Sequence, residues 1–564
     1  MTSPVAFHLE WKRASRSPAL TATVRTPDGR AWWLHSQVDP EDEAAFLVAD
    51  VPAQARTLYV VLGFGLGYHV KALLERVPAS SQVIVIESDA AALSEAVRAT
   101  VHASPGGWMD SARLQLLVCR DPTVVPLRLA ASFSACDALS LQLIPHVPSM
   151  QLAPGFYDAV IQIVRAQLPD AAAAHVTSLD TMLERDLRNF WANLAPTWRG
   201  GHIDALKDIC RGRPVLVVSA GPSLTAALPH LAALVGRAVI VATAPTVTVL
   251  LANGIRPDVV VTVDPFPENV AHFVPWSSVA LPLVYYQRTC HTIFEWYAGP
   301  VCAFSMREEA PLPLKADARP SIFFPGGSVA FSALQLAHHM GGNPVVLVGQ
   351  DFAFADGRTH ASGVDYGRDV PDADSAVGGQ QLLQVPGVHG EPVTTNGLYY
   401  SYLLHMQEYL VAYSRQHQDI RHVNASAGAV IQGAEYVAVD QLVSSLNLPD
   451  HAAQASPIAA AITASHGPTD RRAVAALIRQ WRTELAQVLQ RDSEGRSFRQ
   501  SFADFEQTTL HAQAASSYRR VRYVFESRYA PRGDEGADAF RARFSEHLRF
   551  IADTLTRLSA EYGA

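Results

Sequence analysis

The sequence has few of the features that mark secreted, membrane-spanning or nucleic-acid-binding proteins. Its 564 residues include five cysteines, which are scattered and form neither a CxxC zinc motif nor a dense disulfide framework, so we expect a reducing compartment. The first residues carry charge where a signal peptide has its apolar stretch, and no run approaches the ~20 apolar residues that a membrane helix needs. We therefore expect a cytoplasmic protein without a membrane span.

Charge is also scarce, and its balance is acidic. Charged residues make up 17% of the chain and apolar residues 49%, which excludes wholesale disorder. The chain has 45 Lys and Arg against 53 Asp and Glu, which gives a net charge of −8. This is the wrong sign for a protein that binds the phosphate backbone of nucleic acids. We expect no nucleic-acid partner.

The length predicts several domains, and changes in composition divide the chain into three. An N-terminal domain with a Rossmann-like βαβ unit is predicted over residues 1–175. A central α/β domain is predicted over 176–450, and a helical C-terminal domain over 451–564.

The N-terminal βαβ unit carries a glycine-rich turn between its first strand and its helix. Gly63, Gly65 and Gly67 form GxGxG rather than the dinucleotide fingerprint GxGxxG, and Glu87 closes the next strand. The turn resembles motif one of class I methyltransferase-like folds. Two interpretations stay open, a cofactor site and a Rossmann scaffold that has lost its ligand, and no other motif supports methyl transfer.

The central domain contains six short buried runs separated by helical or turn segments, which predict a mostly parallel sheet with helices on both faces. Ligands bind such sheets beyond the carboxyl ends of the strands. Small or polar residues stand at four of these ends: Ser219–Ser223, Thr243–Thr246, Asp264–Pro265 and Gln350–Asp351.

Two turns of the central domain favour an anion at a helix N-terminus. Gly221 allows a sharp turn, Pro222 suits the first helical position, and Ser223 offers an amide and a hydroxyl. Gly326, Gly327 and Ser328 form a similar turn before a second apolar helix. No Walker A lysine follows, so the pattern indicates a nucleotide held by backbone and hydroxyl groups rather than an ATP-hydrolysing P-loop.

The loop after the last strand carries the candidate acid-base pair. His360 is placed to take a proton, with Asp351 as the carboxylate that orients it, and His389 is the reserve candidate. Arg358 is a candidate partner for a donor carboxylate. Asp264 and Asp351 are suited to Mg²⁺ or to ribose hydroxyls, and the metal stays open.

Tyr399 and Tyr400 begin a further helix and have two interpretations. Their hydroxyls are placed to hydrogen-bond a leaving phosphate, or their rings cap the core.

Four separated segments occur in the order typical of one family: VVSAGPSL, NGIRPDVVVTVDP, PGGSVAFSALQLAHHMGGNPVVLVGQDFAFADGRTHASG and VNASAGAVIQGAE. Together they resemble the motility accessory factor family, flagellin glycosyltransferases built around a DUF115 domain. The resemblance covers about residues 180 to 440, and GFGLGYHV fits the family's N-terminal domain.

This resemblance implies an inverting protein O-glycosyltransferase. The enzyme would transfer a sialic-acid-like nonulosonic acid, of the pseudaminic or legionaminic type, from its CMP donor to Ser or Thr of flagellin. The family's central domain is similar to bacterial sialyltransferases. The implied donor contacts are Gly221, Pro222 and Ser223 at the turn, Asn253 and Asp264 beside the nucleotide, and Ser328 facing the phosphate.

Two other functions stay open. DUF115 domains also resemble archaeal 6-hydroxymethylpterin diphosphokinase, an ATP-dependent enzyme, although the large flanking domains argue against that activity. The third possibility is a non-catalytic flagellin-binding protein. Stabilisation by CMP, by ATP with Mg²⁺ or by flagellin alone separates the three.

Overall fold

The structure is a computed structural model, and it describes residues 9–25, 30–101, 107–111, 113–125, 129, 140–306, 322–323, 327–355, 357–364, 382–446, 448, 457–465, 471–494, 496–513, 518, 521–522, 524–529 and 532–564. The chain forms two compact units, Met1–Leu179 and Asp180–Ala564.

The first unit contains seven described strands and two sheets. The strands are β1 (Leu9–Arg13), β2 (Leu20–Arg25), β3 (Ala31–Trp33), β4 (Thr57–Leu62), β5 (Gln82–Glu87), β6 (Leu114–Val118) and β7 (Ser140–Pro145). Strands β1 to β3 form an antiparallel sheet, and the other four form a parallel sheet in the order β6-β5-β4-β7. Its α-helices are Pro40–Ala49, Tyr68–Arg76, Ala90–Ala96, Val147–Leu152 and the first part of Pro154–Ala192.

The predicted βαβ unit is present as β4, the helix Tyr68–Arg76 and β5. Gly63, Gly65 and Gly67 have φ values of 99°, 53° and 84°, in the left-handed region that side chains avoid. The glycine pattern therefore serves a sharp turn between strand and helix.

The second unit is built on one large parallel sheet. Its strands are β8 (Gly201–His202), β9 (Val215–Val218), β10 (Val239–Thr243), β11 (Val259–Thr262), β12 (Leu283–Tyr286), β13 (Val301–Met306), β14 (Ile322–Phe323), β15 (Val345–Val348), β18 (His422–Asn424) and β19 (Glu435–Tyr436), with β16 (Leu382–Pro386) and β17 (Pro392–Asn396) forming a separate antiparallel hairpin. The order in the large sheet is β14-β13-β12-β11-β10-β9-β15-β18-β19, and β8 pairs with β13.

The six buried runs of the central region are the strands β9 to β13 and β15, which confirms the predicted mixed α/β fold with a parallel sheet. Alternate residues of each strand pack on opposite faces. In β9, Leu216 and Val218 belong to the core on one side, and Val215 and Val217 belong to the core on the other. Both cores include helical residues, so helices cover both faces.

The second unit also contains the C-terminal helices. Its α-helices, after the end of Pro154–Ala192, are Leu194–Arg199, Leu224–Ala232, Val247–Ala252, Val329–His339, Gly397–Gln416, Leu442–Ser445, Ile458–Ser465, Arg471–Ser493, Phe498–Glu506, Thr509–Gln513 and Gly533–Tyr562. Among the described residues, no helix has the length and apolar character that a membrane span requires.

The C-terminal helices pack into the central region. Ile458 and Ile462 are fully buried in the same core as the inner faces of β9 and β15. The ring of Trp481 lies 5.9 Å from that of Trp191 and 6.3 Å from that of Trp198. The segment predicted as a separate helical domain therefore lies in the same compact unit as the central sheet, and its residues Ile458 and Ile462 belong to a core of that sheet.

Candidate functional site

The candidate site lies where the order of strand addition in the large parallel sheet reverses. From β9 the chain builds outward through β10, β11, β12 and β13, whereas β15 pairs with the opposite edge of β9 and is followed by β18. The loops that leave β9 and β15 therefore diverge and open a crevice beyond the carboxyl ends of the two strands. This switch point is the usual ligand site of open parallel sheets.

A cavity of about 190 Å³ occupies this crevice. It brings together six of the predicted site residues with neighbours that the sequence reasoning did not select. The predicted residues in its lining are Gly221, Pro222, Asp264, Ser328, Asp351 and His360.

Gly221 lies where the two loops come closest. Its amide donates a hydrogen bond of 2.8 Å to the carbonyl of Gly349. A Cβ atom at position 221 would lie 2.1 Å from Oδ2 of Asp351 and 2.5 Å from that carbonyl. Since both distances are far below van der Waals contact, only glycine fits this turn.

The carboxylate of Asp351 is bound by Ser223 across this contact. The amide and the hydroxyl of Ser223 donate to Oδ2 at 3.2 Å and 2.9 Å. Burial raises the pKa of Asp351 to about 6, and the hydrogen bonds from Ser223 partly oppose that shift. The amide predicted to hold a donor phosphate is thus occupied by a carboxylate of the chain itself.

Ser328 stands at the N-cap of the helix Val329–His339. Its hydroxyl accepts the amide of Ala330 at 3.2 Å, and Ser328, Val329 and Ala330 all line the cavity. The positive end of this helix dipole therefore faces the cavity. Gly326, the first residue of the predicted turn, lies outside the described residues.

His360 lies on the wall formed by the loop after β15. Its Nδ1 is 3.0 Å from Oγ1 of Thr359. Burial lowers the pKa of His360, and the neighbouring His272 lowers it further. The imidazole is therefore neutral near pH 7 and able to accept a proton. The hydrogen bonds that position Asp351 come from Ser223, so the predicted orienting role of Asp351 toward His360 gains no support from them.

Asp264, after β11, and two tyrosines complete the polar lining. Burial raises the pKa of Asp264. Tyr399 and Tyr402 line the same cavity, and burial raises the pKa of each to about 12, so both hydroxyls keep their protons. Tyr400 instead packs against the core, as the second interpretation of the tyrosine pair expects.

The cavity lining does not include Ser223, which binds Asp351 instead, or three further residues considered from the sequence. Asn253 is exposed at the end of the helix Val247–Ala252, where its side chain donates to the carbonyl of Val249 at 2.9 Å. It precedes β11, at the opposite end of the strands from the cavity, so its placement corrects the expectation that it lines the nucleotide side. His389 is exposed in the turn between β16 and β17, and Arg358 is exposed and bonded to Ser362.

Sequence reasoning gave no role to three notable residues of the lining, although Gln350 stands at one of the four polar strand ends that it identified. Gln350 is 3% exposed, its Nε2 donates to Ser219 at 3.2 Å, and its Oε1 has no hydrogen-bond partner among the described residues. Phe352 has φ of 49°, a strained conformation directly after Asp351. Tyr402 follows Tyr399 by one helical turn, and this spacing was the available signal.

The cavity is acidic rather than basic. Two carboxyl groups, one imidazole and two phenols line it, and none of the described lining residues is Lys or Arg. A ligand with several phosphates would need a bound cation to balance its negative charge, whereas a single phosphate can be stabilised by the positive end of the helix dipole at Ser328.

Comparisons with known proteins place one domain in a described family. Residues 188–357 match the family model described as 6-hydroxymethylpterin diphosphokinase MptE-like. This match confirms the DUF115-type domain that the motifs indicated.

Two individual proteins are also similar. An uncharacterized protein of Treponema pallidum (strain Nichols) is 24% identical over 359 residues, and the alignment spans 60% of this chain and 60% of that relative, less than two thirds of its length. The structure of MAf glycosyltransferase from Magnetospirillum magneticum AMB-1 aligns with a TM-score of 0.44 and 16% identity, over 100% of this chain and 94% of that chain.

Proposed function

We propose that this protein is an O-glycosyltransferase that transfers a nonulosonic acid, of the pseudaminic or legionaminic type, from a CMP donor to Ser or Thr of flagellin in the cytoplasm. The observation that carries the proposal is the cavity at the switch point, where Gly221, Asp264, Asp351 and His360 lie together. The choice of donor and acceptor rests on the resemblance of the four sequence segments to the motility accessory factor family.

The donor phosphate belongs at the N-terminus of the helix Val329–His339. The other helix N-terminus, at Ser223, already binds the carboxylate of Asp351. Ser328 lines the cavity with its helix dipole directed into it. The turn at Gly221 and Pro222 then packs against the nucleoside, and Asp264 is available to the ribose hydroxyls.

Transfer requires stabilisation of the leaving phosphate and removal of a proton from the acceptor. Departure of CMP passes through an oxocarbenium-like state, in which negative charge grows on the phosphate. Tyr399 and Tyr402 remain protonated and are placed to donate hydrogen bonds to it. His360, neutral because burial lowers its pKa, accepts the proton of the attacking hydroxyl.

A pterin diphosphokinase is the second candidate, and the description of the matching family favours it. That reaction brings ATP into the site. Since none of the described lining residues is Lys or Arg, a triphosphate would depend on Mg²⁺ held by Asp264 and Asp351. A CMP-sugar carries one phosphate and makes a smaller demand for positive charge, which favours the glycosyltransferase.

The test combines ligand binding with the mass of the acceptor. In the first experiment, the thermal midpoint of the full chain is measured with CMP, with ATP and Mg²⁺, or with flagellin. In the second, flagellin is co-expressed with the chain and a CMP-nonulosonate pathway, and its intact mass is determined by mass spectrometry. Stabilisation by CMP and a mass gain of whole nonulosonate residues support the proposal. Stabilisation by ATP and Mg²⁺ with pterin-dependent AMP release supports the diphosphokinase. Binding of flagellin without a mass gain indicates a non-catalytic role, and either of these outcomes overturns the proposal.

A further inference from the structure

Three buried histidines meet at the switch point of the first unit's parallel sheet. His146 directly follows β7, His69 lies in the first turn of the helix after β4, and His35 follows β3. Each is only 2% exposed. One ring nitrogen from each lies within 4.8 Å of a ring nitrogen of the other two.

Two of these histidines have a ring nitrogen without a partner. Nδ1 of His35 is 3.0 Å from Oε2 of Glu43, and Nε2 of His69 is 3.1 Å from the carbonyl of Gly63. Because both oxygens accept hydrogen bonds, the ring nitrogens that face them carry the protons. The opposite nitrogens, Nε2 of His35 and Nδ1 of His69, are buried and have no hydrogen-bond partner among the described residues.

This pattern matches the surroundings of metal-binding histidines. A metal-binding imidazole usually donates its other N–H to a carboxylate or a backbone carbonyl, which holds the ring and the tautomer. Glu43 does this for His35, and Gly63 does it for His69. A buried ring nitrogen without a partner costs about 1–3 kcal/mol, so a bound ion would relieve a cost that the unit otherwise carries.

His146, the third histidine, has a hydrogen-bond partner at both ring nitrogens and must give up one of these bonds to bind an ion. Its Nδ1 is 2.7 Å from Oγ of Ser149, and its Nε2 is 3.0 Å from the carbonyl of Leu34. Its ring stacks on that of His69, with centroids 4.4 Å apart and planes within 6°. Metal–nitrogen bonds of about 2.0–2.1 Å to one ion require a ring of this stack to turn.

His69 and His146 are neutral, as metal ligands must be. Burial lowers the pKa of His69 to about 3 and lowers the pKa of His146 well below 6.5, and the neighbouring imidazoles lower both further. No proton therefore has to be displaced from either ring near pH 7.

A nucleotide has no room in the same crevice. A Cβ atom at Gly65 would lie 2.5 Å from Cε1 of His146. The carboxylate of Glu87, the group that would meet a ribose, accepts the amide of Phe64 at 2.9 Å and the hydroxyl of Tyr157 at 3.2 Å. The cavity beside Gly65 has about 30 Å³, which is enough for one or two waters. Among the described residues of the first unit, the Rossmann turn is therefore present, but the crevice beside it has no space for a nucleotide cofactor.

We propose that His35, His69 and His146 bind one Zn²⁺ ion, which ties the strand-to-helix turn Gly63–Gly67 to β7 and to the loop after β3. Imidazole nitrogen is a preferred ligand of Zn²⁺, and three buried imidazoles form a set that hard cations such as Mg²⁺ do not select. The ion has a structural role within the first unit.

In the experiment, the full chain is stripped of metal by dialysis against EDTA, transferred to chelator-free buffer and then titrated with Zn²⁺. We expect one Zn²⁺ per chain with an upward shift of the thermal midpoint of the first unit, and a visible absorption band when Co²⁺ replaces Zn²⁺. Failure of the wild-type chain to bind Zn²⁺ at a ratio near one, or an ion that does not shift the midpoint, overturns the proposal.

Variants assign the ion to the cluster. His69→Gln and His35→Gln should each weaken Zn²⁺ binding by at least about 10²-fold and abolish the Co²⁺ band. His547→Gln is the matched control, since His547 is also buried but lies in the second unit, with its Nε2 2.9 Å from the hydroxyl of Tyr518. Full Zn²⁺ binding by a folded His69→Gln or His35→Gln, judged by circular dichroism, places the ion elsewhere and refutes the assignment.

Discussion

Oδ2 of Asp351 accepts two hydrogen bonds from Ser223, one from the amide at 3.2 Å and one from the hydroxyl at 2.9 Å. This contact joins the loop after β9 to the loop after β15 and shapes the crevice between them. It also occupies one of two helix N-termini that the sequence suggested for a phosphate, which leaves the N-terminus at Ser328 for the donor.

The first prediction concerns the titration of Asp351. Burial raises its pKa to about 6 from the ordinary 3.8. The folded state therefore binds this proton more tightly than the unfolded state, and the resulting stability is full below about pH 4 and lost as the pH rises through about 6. Asp351→Asn, which mimics the protonated group, should exceed the wild type in free energy of unfolding at pH 8 by up to about 3 kcal/mol.

Urea unfolding of both proteins between pH 4 and pH 8 checks this prediction. Comparing the two proteins at each pH cancels the contributions of other titrating groups, including the buried histidines. The excess stability of Asp351→Asn should shrink toward zero at pH 4. A difference that does not change with pH would contradict the raised pKa.

The second prediction concerns the close contact at Gly221. The methyl group of Gly221→Ala would lie 2.1 Å from Oδ2 of Asp351 and 2.5 Å from the carbonyl of Gly349. The loop must shift, so we expect a loss of about 1–3 kcal/mol in stability and the loss of CMP-dependent thermal stabilisation. Thermal unfolding with and without CMP measures both effects.

Gly155→Ala is the matched control for this substitution. An added Cβ at Gly155 meets no atom within 4 Å, and its φ lies outside the left-handed region. We expect stability equal to or slightly above that of the wild type, and full stabilisation by CMP. Normal CMP binding by Gly221→Ala would show that this turn does not shape the donor site.

The third prediction concerns His360 as the general base. His360→Ala should lower turnover by about 10² to 10⁴ with little change in donor affinity, because the proton is removed only in the transition state. Burial lowers the pKa of His360 below 6.5, so the wild-type rate should rise with pH and reach its plateau below neutrality. Rates of transfer to flagellin across this range provide the measurement.

His389→Ala separates the two candidate bases. His389 is exposed in the hairpin turn, with its ring 5.6 Å from that of Tyr436, so its removal should leave turnover unchanged. Loss of turnover in His389→Ala with normal turnover in His360→Ala would reverse the assignment.

Strands β9 to β13 and β15 of the second unit were predictable because each is a short, mostly buried apolar run. β9 and β15 illustrate this, and both are fully buried. Their pairing was not predictable, since more than a hundred residues separate them and strand order depends on tertiary packing. The contact between Ser223 and Asp351 depends on that pairing, so the sequence indicated both residues without relating them.

Two other features had no local signal. His35, His69 and His146 lie far apart in the sequence and show no ligand spacing, so only the fold brings them together. Asn253 was placed beside the nucleotide by resemblance alone, and it lies at the far end of the helix Val247–Ala252. Local patterns identify strands and turns, whereas the composition of a site depends on contacts between distant segments.

The last prediction concerns the connector near residue 450, which the sequence suggested as a domain boundary. A chain that ends at Leu448 loses Ile458 and Ile462, both fully buried in the core that also contains the inner faces of β9 and β15. Loss of two buried isoleucines costs about 4–10 kcal/mol, comparable with the whole stability of a typical domain. We therefore expect the truncated chain to lack a cooperative unfolding transition of the second unit, whereas an independent helical domain would be removable without this loss.

Ile462→Ala in the full chain should lower the free energy of unfolding of that unit by about 2–4 kcal/mol. Thr463→Ala on the same helix is its control, since Thr463 is exposed and its change should stay within about 0.5 kcal/mol. Calorimetry of the three proteins decides the matter, and a truncated chain with a normal second-unit transition would show that the helix Ile458–Ser465 is dispensable for that core.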